Sequence, residues 1–288
     1  MNRDQSPLSL RLLRHKDLPF ADSLRALVGW NQTFDDWERF LALEPEGCFL
    51  AECNGAPAGT ATTLVYGPDL AWIGMALVHP DYRRRGIGRA LLERCLEHLR
   101  VREVRCVKLD ATPLGKQVYD ALGFKEEWTL TRWVYRHAPS PLPLPEPMLR
   151  TWRATDAEQI ESLDRTAFGL SRQRLLRSLA RQSRCALVLE SEGISGYGML
   201  RSGSHALYLG PVVAQAAVAG IRLLDALVAR SEGQTIFLDV PDQNAAATAW
   251  AQEHGCTAQR ALTRMFLGEN LRPGHPNQQF AIAGPESG

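Results

Sequence analysis

The chain has 288 residues, of which 45% are hydrophobic, and this length is enough for two cores of ordinary size. Its 33 basic and 32 acidic residues give a formal net charge of +1, so no overall field attracts nucleic acid or an anionic membrane. The six cysteines show none of the C-x-x-C spacing of a zinc or redox site, and no apolar run approaches the roughly 20 residues of a membrane span.

The first seven residues lack the apolar stretch of a secretory signal. We therefore expect a soluble, cytoplasmic protein of two domains, without a metal ion, a nucleic-acid partner or a membrane partner. The composition carries no signal for any particular oligomeric state.

The residue pattern of the first half predicts a strand, two helices and a hairpin, followed by strands that alternate with helices. In chain order the predicted elements are a strand at 8–13, helices at 17–28 and 33–43, strands at 48–53 and 58–65, a strand at 72–78, a helix at 86–100, a strand at 104–109, a helix ending near 123, and a last strand. Asp17 and Thr33 are suitable N-caps, and Asn54-Gly55 is a hairpin-turn signal.

Residues 137–147 contain five prolines, a composition typical of an extended spacer, and they divide the chain nearly in half. The second half repeats the element order of the first. We therefore predict a first domain at 1–137, a linker at 138–147, a second domain at 148–268 and an irregular tail at 269–288. The predicted fold is α/β, with two tandem domains of order β-α-α-β-β-β-α-β-α-β, each a mixed sheet flanked by helices.

The stretch 78–92 joins a predicted strand to a helix and contains Gly86, Gly88 and three consecutive arginines. A helix N-terminus leaves about four backbone N–H groups without internal partners and carries partial positive charge, so a glycine turn there can bind a pyrophosphate. The dinucleotide fingerprint and the Walker pattern are both absent. The alternative is a solvated basic turn whose glycines only begin the helix.

Four motifs resemble those of the GNAT N-acetyltransferase superfamily. They are Val78-x-Pro80, Arg83-x-x-Gly86-x-Gly88, Thr112-x-x-Gly115-x-x-x-Tyr119 and Leu122-Gly123-Phe124. Thr112 and Gly115 replace the family's asparagine and alanine. The runs 109–113 and 29–33 resemble a branch of the superfamily that carries a second, degenerate GNAT-like domain.

The resemblance implies an acetyl-CoA-dependent N-acetyltransferase that transfers acetyl to a primary amine of a small molecule or peptide, by direct attack in a ternary complex. The cofactor-binding residues that it implies are Leu77, Val78, Arg83, Arg84, Arg85, Gly86, Ile87, Gly88, Arg89, Thr112 and Gly115. Tyr119 matches the family's acid, since a phenol with a pKa near about 10 is protonated at neutral pH and can donate to the leaving thiolate. Its alternative role is packing under the sheet.

Glu52 and Asp110 are the candidates for the general base, and either can equally be a surface charge or a loop cap. The acceptor is expected near the loop between the first two helices, where aromatic and polar side chains alternate; the same residues can also be core packing. The predicted substrate-binding residues are Trp30, Asn31, Gln32, Phe34 and Trp37.

The second half lacks the arginines of the loop, and Arg222 stands where Gly88 stands in the first half. We therefore predict that it keeps the fold without a cofactor site. Two other functions compatible with the sequence are a non-catalytic acyl-CoA sensor and a protein-lysine acetyltransferase.

Overall fold

The structure is a computed structural model that describes residues 8–136 and 148–288. The predicted linker at 138–147 lies outside the described residues. The strands are β1 (Leu8–Leu12), β2 (Cys48–Cys53), β3 (Ala56–Gly67), β4 (Leu70–Val78), β5 (Cys106–Ala111), β6 (Lys125–Tyr135), β7 (Leu149–Thr151), β8 (Ser183–Glu190), β9 (Ile194–Arg201), β10 (Leu207–Ala214), β11 (Ile236–Pro241), β12 (Thr257–Gly268) and β13 (Gln279–Ala281). The α-helices are α1 (Leu18–Leu27), α2 (Phe34–Leu43), α3 (Ile87–Val101), α4 (Pro113–Ala121), α5 (Ala157–Phe168), α6 (Gln173–Gln182), α7 (Ala217–Val228) and α8 (Ala245–Glu253).

All of these strands belong to one mixed sheet, which confirms the predicted α/β class and merges the two sheets that the sequence suggested. The strand order is β1-β2-β3-β4-β5-β12-β6-β11-β10-β9-β8-β7, with β13 paired to β10. The two halves exchange their last strands: β12 of the second half pairs with β5 of the first half, and β6 of the first half pairs with β11 of the second half. The proposed domain limits at 137 and 148 remain a prediction. In each half, however, the strand that pairs with the fifth strand, β5 or β11, comes from the other half of the chain.

Buried ion pairs join the exchanged strands to their hosts. Arg264 on β12 donates two hydrogen bonds of 2.8 Å to Asp110 on β5. Arg132 on β6 binds Asp239 on β11 in the same two-point manner, with one bond of 2.9 Å. The four side chains are at most 3% exposed. Each exchanged strand is therefore joined to its host strand by one buried Arg–Asp pair, and the two pairs are equivalent. The place where an exchanged strand meets its host strand is called a crossing below.

The sheet packs its helices on two faces. In the first half, α3 covers one face with Ile87, Leu91 and Leu99, and the opposite face packs against α1 and α2 through Leu18 and Trp37. Apolar residues on these helices recur at the spacing that places them on one side, so each helix buries one stripe against the sheet. The two faces are called the α3 face and the α1–α2 face below.

Residues 269–288, called the C-terminal segment, have no usable sequence periodicity, which left open whether this irregular tail is loose or docks on the body; in the structure it docks. They include strand β13, whose partners on β10 are Val212 and Val213, and the amide of Ile282 donates to the carbonyl of Asp239 on β11. The segment then reaches the first half, where the indole of Trp72 donates to the carbonyl of Pro285 at 3.0 Å. Its order comes from distant partners, which local periodicity does not encode.

Candidate active site

A pocket opens where β4 and β5 separate. The two parallel strands pair only at Ala71 with Val107 and at Trp72 with Lys108. Beyond that point they diverge, and the gap between them is part of a cavity of about 650 Å³. This volume falls within the usual range for small-molecule sites.

A β-bulge in β4 shapes the wall of this pocket. The register with β3 shifts between Thr60, which pairs with Leu77, and Thr62, which pairs with Gly74. Met75, within the bulge, has a φ of 48°, and its carbonyl accepts a hydrogen bond from the Thr60 hydroxyl at 3.0 Å. A bulge bends its strand and re-aims side chains, so this one widens the gap beside β5.

The glycine-arginine loop lies at one end of the pocket. Arg84 and Gly86 have positive φ values of 63° and 81°, and α3 begins at Ile87 directly after Gly86. The arginines at 83–85 are exposed, and a Cβ added at Gly86 would meet no atom within 4 Å. The first N–H groups of α3 therefore face open space flanked by fixed positive charge, an arrangement that fits a diphosphate.

The predicted cofactor residues come together around this space. All of them except Arg85 line the pocket: Leu77, Val78, Arg83, Arg84, Gly86, Ile87, Gly88, Arg89, Thr112 and Gly115. Arg85 instead lies over the ring of Tyr82, with 5.4 Å from its guanidinium carbon to the ring centre. The set is contiguous in space because one loop and the start of one helix supply most of it.

Tyr119 lines the same pocket from α4. The Thr112 hydroxyl accepts a hydrogen bond from the amide of Gly115 at 3.1 Å and caps the helix. A Cβ at residue 115 would lie 3.1 Å from Cε2 of Tyr119, so glycine gives the ring its place against the first turn. Burial raises the pKa of Tyr119 to about 12, which keeps the phenol protonated at neutral pH.

The two predicted bases both have ion-pair partners. Glu52 accepts a hydrogen bond of 2.9 Å from Arg11 and does not line the pocket. Asp110 lines the pocket, but both of its carboxylate oxygens are occupied by Arg264. Burial raises the pKa of Asp110, while Arg264 opposes this shift. Neither carboxylate is presented to the cavity without a partner.

The predicted acceptor residues separate into two groups. Trp30 and Gln32 line the pocket. Asn31 instead joins the two halves, because its amide group bonds to the backbone of Ala206 in both directions at 3.0 Å. Trp37 is fully buried in the core under α2, and Phe34 is 41% exposed outside the pocket.

Sequence reasoning missed two charged residues of the pocket, Glu286 and Arg260. Glu286 lies in the C-terminal segment and accepts a hydrogen bond of 2.6 Å from Gln32. Its backbone rests on Gly74, where any Cβ would overlap it. Burial raises the pKa of Glu286, and nearby Asp36 adds to the shift. No local pattern marks either residue, since both reach the site through the fold.

Comparison with known proteins decides the family. An Acetyltransferase (GNAT) family model matches residues 16–124, and a second Acetyltransferase (GNAT) domain model matches residues 160–281. The chain is a tandem GNAT protein. The resemblance read from the four motifs is thereby confirmed, and so is the repeat of one domain.

Relatives and solved structures agree with this assignment. The tandem GNAT protein is 25% identical over 262 residues to holothin acyltransferase of Pseudoalteromonas sp., covering 90% of this chain and 87% of that one. It is 25% identical over 177 residues to the uncharacterised N-acetyltransferase YitH of Bacillus subtilis, covering 61% and 62% of the two chains. With the family models, these relatives identify the chain as an acyltransferase.

Two solved structures share the whole fold. A Pyrococcus horikoshii protein proposed to be an acetyltransferase superposes with a TM-score of 0.83 at 23% identity, over 100% of this chain and 98% of that chain. A tandem GNAT protein from the clavulanic acid biosynthesis pathway superposes with a TM-score of 0.64 at 17% identity, over 91% and 98%. The two-domain architecture is thus found in other solved proteins.

The second GNAT domain has its own gap between parallel strands, and the protein itself fills it. β10 and β11 pair only at Leu207 and Tyr208, after which β13 lies beside β10 and the amide of Ile282 bonds to β11. Phe280 packs so closely on α7 that a Cβ at Gly220 would overlap its ring. The position that corresponds to the pocket of the first domain is therefore occupied by the C-terminal segment.

Residues 8–136 and 148–288 lack two kinds of site. They contain no cluster of three or more His, Cys, Asp and Glu side chains able to hold a metal ion. None of their helices combines the length and apolarity that crossing a membrane requires.

Proposed function

We propose that this protein is an acetyl-CoA-dependent N-acetyltransferase that acts on the primary amine of a small molecule or peptide. The observation that carries the proposal is the convergence, in one cavity, of an anion-binding loop, a protonated tyrosine and a buried carboxylate. The loop and Tyr119 come from the first domain, and Glu286 comes from the C-terminal segment. Direct attack in a ternary complex needs all three around one space.

The loop provides the binding site for the diphosphate of acetyl-CoA. Backbone amides at Arg84, Gly86 and Gly88 bind it in this proposal, and the arginine side chains add positive charge. The backbone of Leu77 and Val78 forms the wall along which the acyl arm extends. Acetyl-CoA supplies the activated thioester, and the chain supplies the position and the proton transfers.

The reaction requires two proton transfers. An alkyl ammonium with a pKa near about 10 must lose a proton before its nitrogen attacks, and the departing thiolate must gain one. Glu286 accepts the proton of the amine, replacing Glu52 and Asp110 in this role because those two carboxylates are held by arginines. Tyr119 donates to sulfur as the C–N bond forms and the C–S bond breaks.

The names of the relatives support acyl transfer as the reaction, but they do not agree on one acceptor. One is named for acyl transfer to holothin and another for N-acetyl transfer to an alanine of ribosomal protein bS18, the latter 37% identical over 76 residues, which is 25% of this chain. The two names describe different acceptors. A catalytically silent acyl-CoA sensor would not need Tyr119 and Glu286 in the same cavity.

Titration calorimetry with acetyl-CoA tests the proposal. We expect one site in the wild-type protein, loss of binding in Gly86→Val, and unchanged binding in Gly55→Val. Gly55 is the matched control because its φ of 75° and open surroundings resemble those of Gly86, while it lies outside the pocket. Tyr119→Phe is expected to bind acetyl-CoA normally and to lower kcat by about 10²- to 10⁴-fold.

Each arm of this test has a result that contradicts the proposal. Wild-type protein that binds no acetyl-CoA would remove the cosubstrate from the site. Full turnover in Tyr119→Phe would remove Tyr119 as the acid while leaving the binding site in place.

A further inference from the structure

Arg260 places a second charge on the acceptor side of the pocket. It lies on β12 two residues from Leu262 and four from Arg264, so the three share one side of the strand. That side is the α1–α2 face, because Arg264 lies over the ring of Trp72 in the core of that face. The loop of the diphosphate begins α3 on the opposite face of the sheet.

The guanidinium of Arg260 has no protein partner in the part of the chain that the structure describes. It makes no hydrogen bond or ion pair there, and its Nε is buried. Its buried neighbours differ, since Arg132 and Arg264 each hold an aspartate by two bonds. Arg201 donates to the carbonyls of Gly210 and Ala283. Arg260 is half-buried, and its lack of a protein partner sets it apart from these structural arginines.

Arg260 faces another arginine, which is buried, across the sheet. Arg132 stands directly opposite it across the β12–β6 pairing, and like charges at facing positions repel. Asp239, one of the carboxylates whose charge acts on Arg260, is already bound by Arg132 and accepts a hydrogen bond from the Tyr208 hydroxyl at 2.9 Å. Burial and Arg132 lower the pKa of Arg260, while Asp239, Tyr208 and Glu286 oppose this shift. An anion entering the cavity would relieve this repulsion.

Resting on the proposed function, we propose that the acceptor is a primary amine that also carries a carboxylate, such as an amino acid. Arg260 binds the carboxylate through its planar fork of donors, and the amino group lies toward Glu286. Both residues line the same cavity with Gln32 and Trp30, on the side away from the diphosphate loop. The two opposite charges of the site match the two opposite charges of the acceptor.

Matched acceptor pairs test the assignment. Each common amino acid is compared with its carboxamide as acceptor, in the wild-type protein and in Arg260→Gln, by the release of free CoA thiol. We expect kcat/KM for the best acid to fall about 10- to 100-fold in the variant, mostly through KM, as for loss of hydrogen bonds to a charged group. The carboxamide should react equally poorly with both proteins. Arg100→Gln, which removes an exposed arginine from α3, is the control of equal charge.

Calorimetric titration of the same amino acids and carboxamides provides a readout that does not need turnover. Acids that bind the wild-type protein and bind Arg260→Gln at least about tenfold more weakly support the proposal, and Arg260→Lys should recover part of the affinity. Equal use of acids and amides, a variant that keeps the preference for acids, or a panel in which no acid binds or reacts would overturn it. Wild-type protein that fails to bind acetyl-CoA would instead count against the proposed function.

Discussion

At the scale of single residues, comparing the two halves distinguishes charged residues that stabilise the fold from those that can take part in the reaction. Arg11 bridges Asp17 and Glu52 in the first half. Arg150 makes the same contact with Glu190 in the second half, where the C-terminal segment fills the gap between the parallel strands. Because the same arginine–carboxylate contact recurs in the second domain, where the gap between the parallel strands is filled, its role is to stabilise the edge of the sheet. Glu52 is therefore interpreted as a structural residue.

Asp110 is interpreted in the same way. Its pair with Arg264 has a counterpart in the pair of Asp239 with Arg132, at the equivalent crossing of the second half. Glu286 differs from both, since its carboxylate accepts a hydrogen bond from the neutral side chain of Gln32 and lines the cavity. The carboxylate with a neutral partner is the one that can exchange a proton with an acceptor.

Replacing Glu286 tests its role as the proton acceptor. Burial raises the pKa of Glu286 above its ordinary value, so the carboxyl stays protonated to a higher pH and kcat falls as pH falls through that pKa. Glu286→Gln is expected to lower kcat by about 10²- to 10⁴-fold and to lose this acidic limb. The measurement is the pH profile of kcat with saturating substrates. Glu52→Gln is the control, and it should keep both the wild-type kcat and the acidic limb.

An unchanged acidic limb in Glu286→Gln would assign that titration to another group. A loss of the limb in Glu52→Gln would return Glu52 to the mechanism despite its contact with Arg11.

At the scale of elements, the exchanged strands make the two domains interdependent. β12 fits between β5 and β6, and β6 fits between β12 and β11. Both strands carry an arginine whose aspartate belongs to the other half of the chain. A buried charge left without its partner is strongly destabilising, so these pairs restrict each strand to its own crossing.

Asp239→Asn measures the strength of one crossing. It leaves the buried guanidinium of Arg132 without a carboxylate, and we expect the free energy of unfolding to fall by about 3–5 kcal/mol. Asp120→Asn is the matched control, because its pair with Lys116 lies at the surface, where ion pairs contribute little to stability. Urea denaturation compares the two variants. Equal losses of stability would contradict the interpretation of the crossing.

At the scale of the whole molecule, the C-terminal segment contacts both halves of the chain. Phe280 packs on α7 in the second domain, and Glu286 lies against β4 in the first. Between them, the carbonyl of Ala283 accepts a hydrogen bond from Arg201. The same short stretch therefore closes one gap and completes the pocket in the other.

Gly220→Val tests this connection from a distance. The added side chain would overlap the ring of Phe280, so we expect the segment to shift and kcat to fall at least about tenfold, by partial loss of the contribution of Glu286. Acetyl-CoA binding should persist, because the loop at 83–88 is untouched. Val218→Ala, at an exposed position of the same helix, is the control. Normal kcat in a folded Gly220→Val protein would separate the two domains functionally.

The sequence by itself determined the features that neighbouring residues build. The loop at 83–88, the cap at Thr112 and the position of Tyr119 each lie within one turn or one helix, where spacing and residue type fix the local geometry. For the same reason it predicted the family, the mixed α/β class and the weakened loop of the second domain. It also predicted Trp30 and Gln32 as acceptor residues; both line the pocket, and their role remains a prediction.

The tertiary structure alone decided how distant segments combine. Asp110 and Arg264 are 154 positions apart, and Gln32 and Glu286 are 254 apart. The exchange of β6 and β12 and the docking of β13 depend on which strand edge is free when the chain folds, and no local pattern records that choice. Arg260 and Glu286 were invisible for this reason, because a side chain enters a pocket through the path of its backbone, and that path is set by long-range pairing and burial.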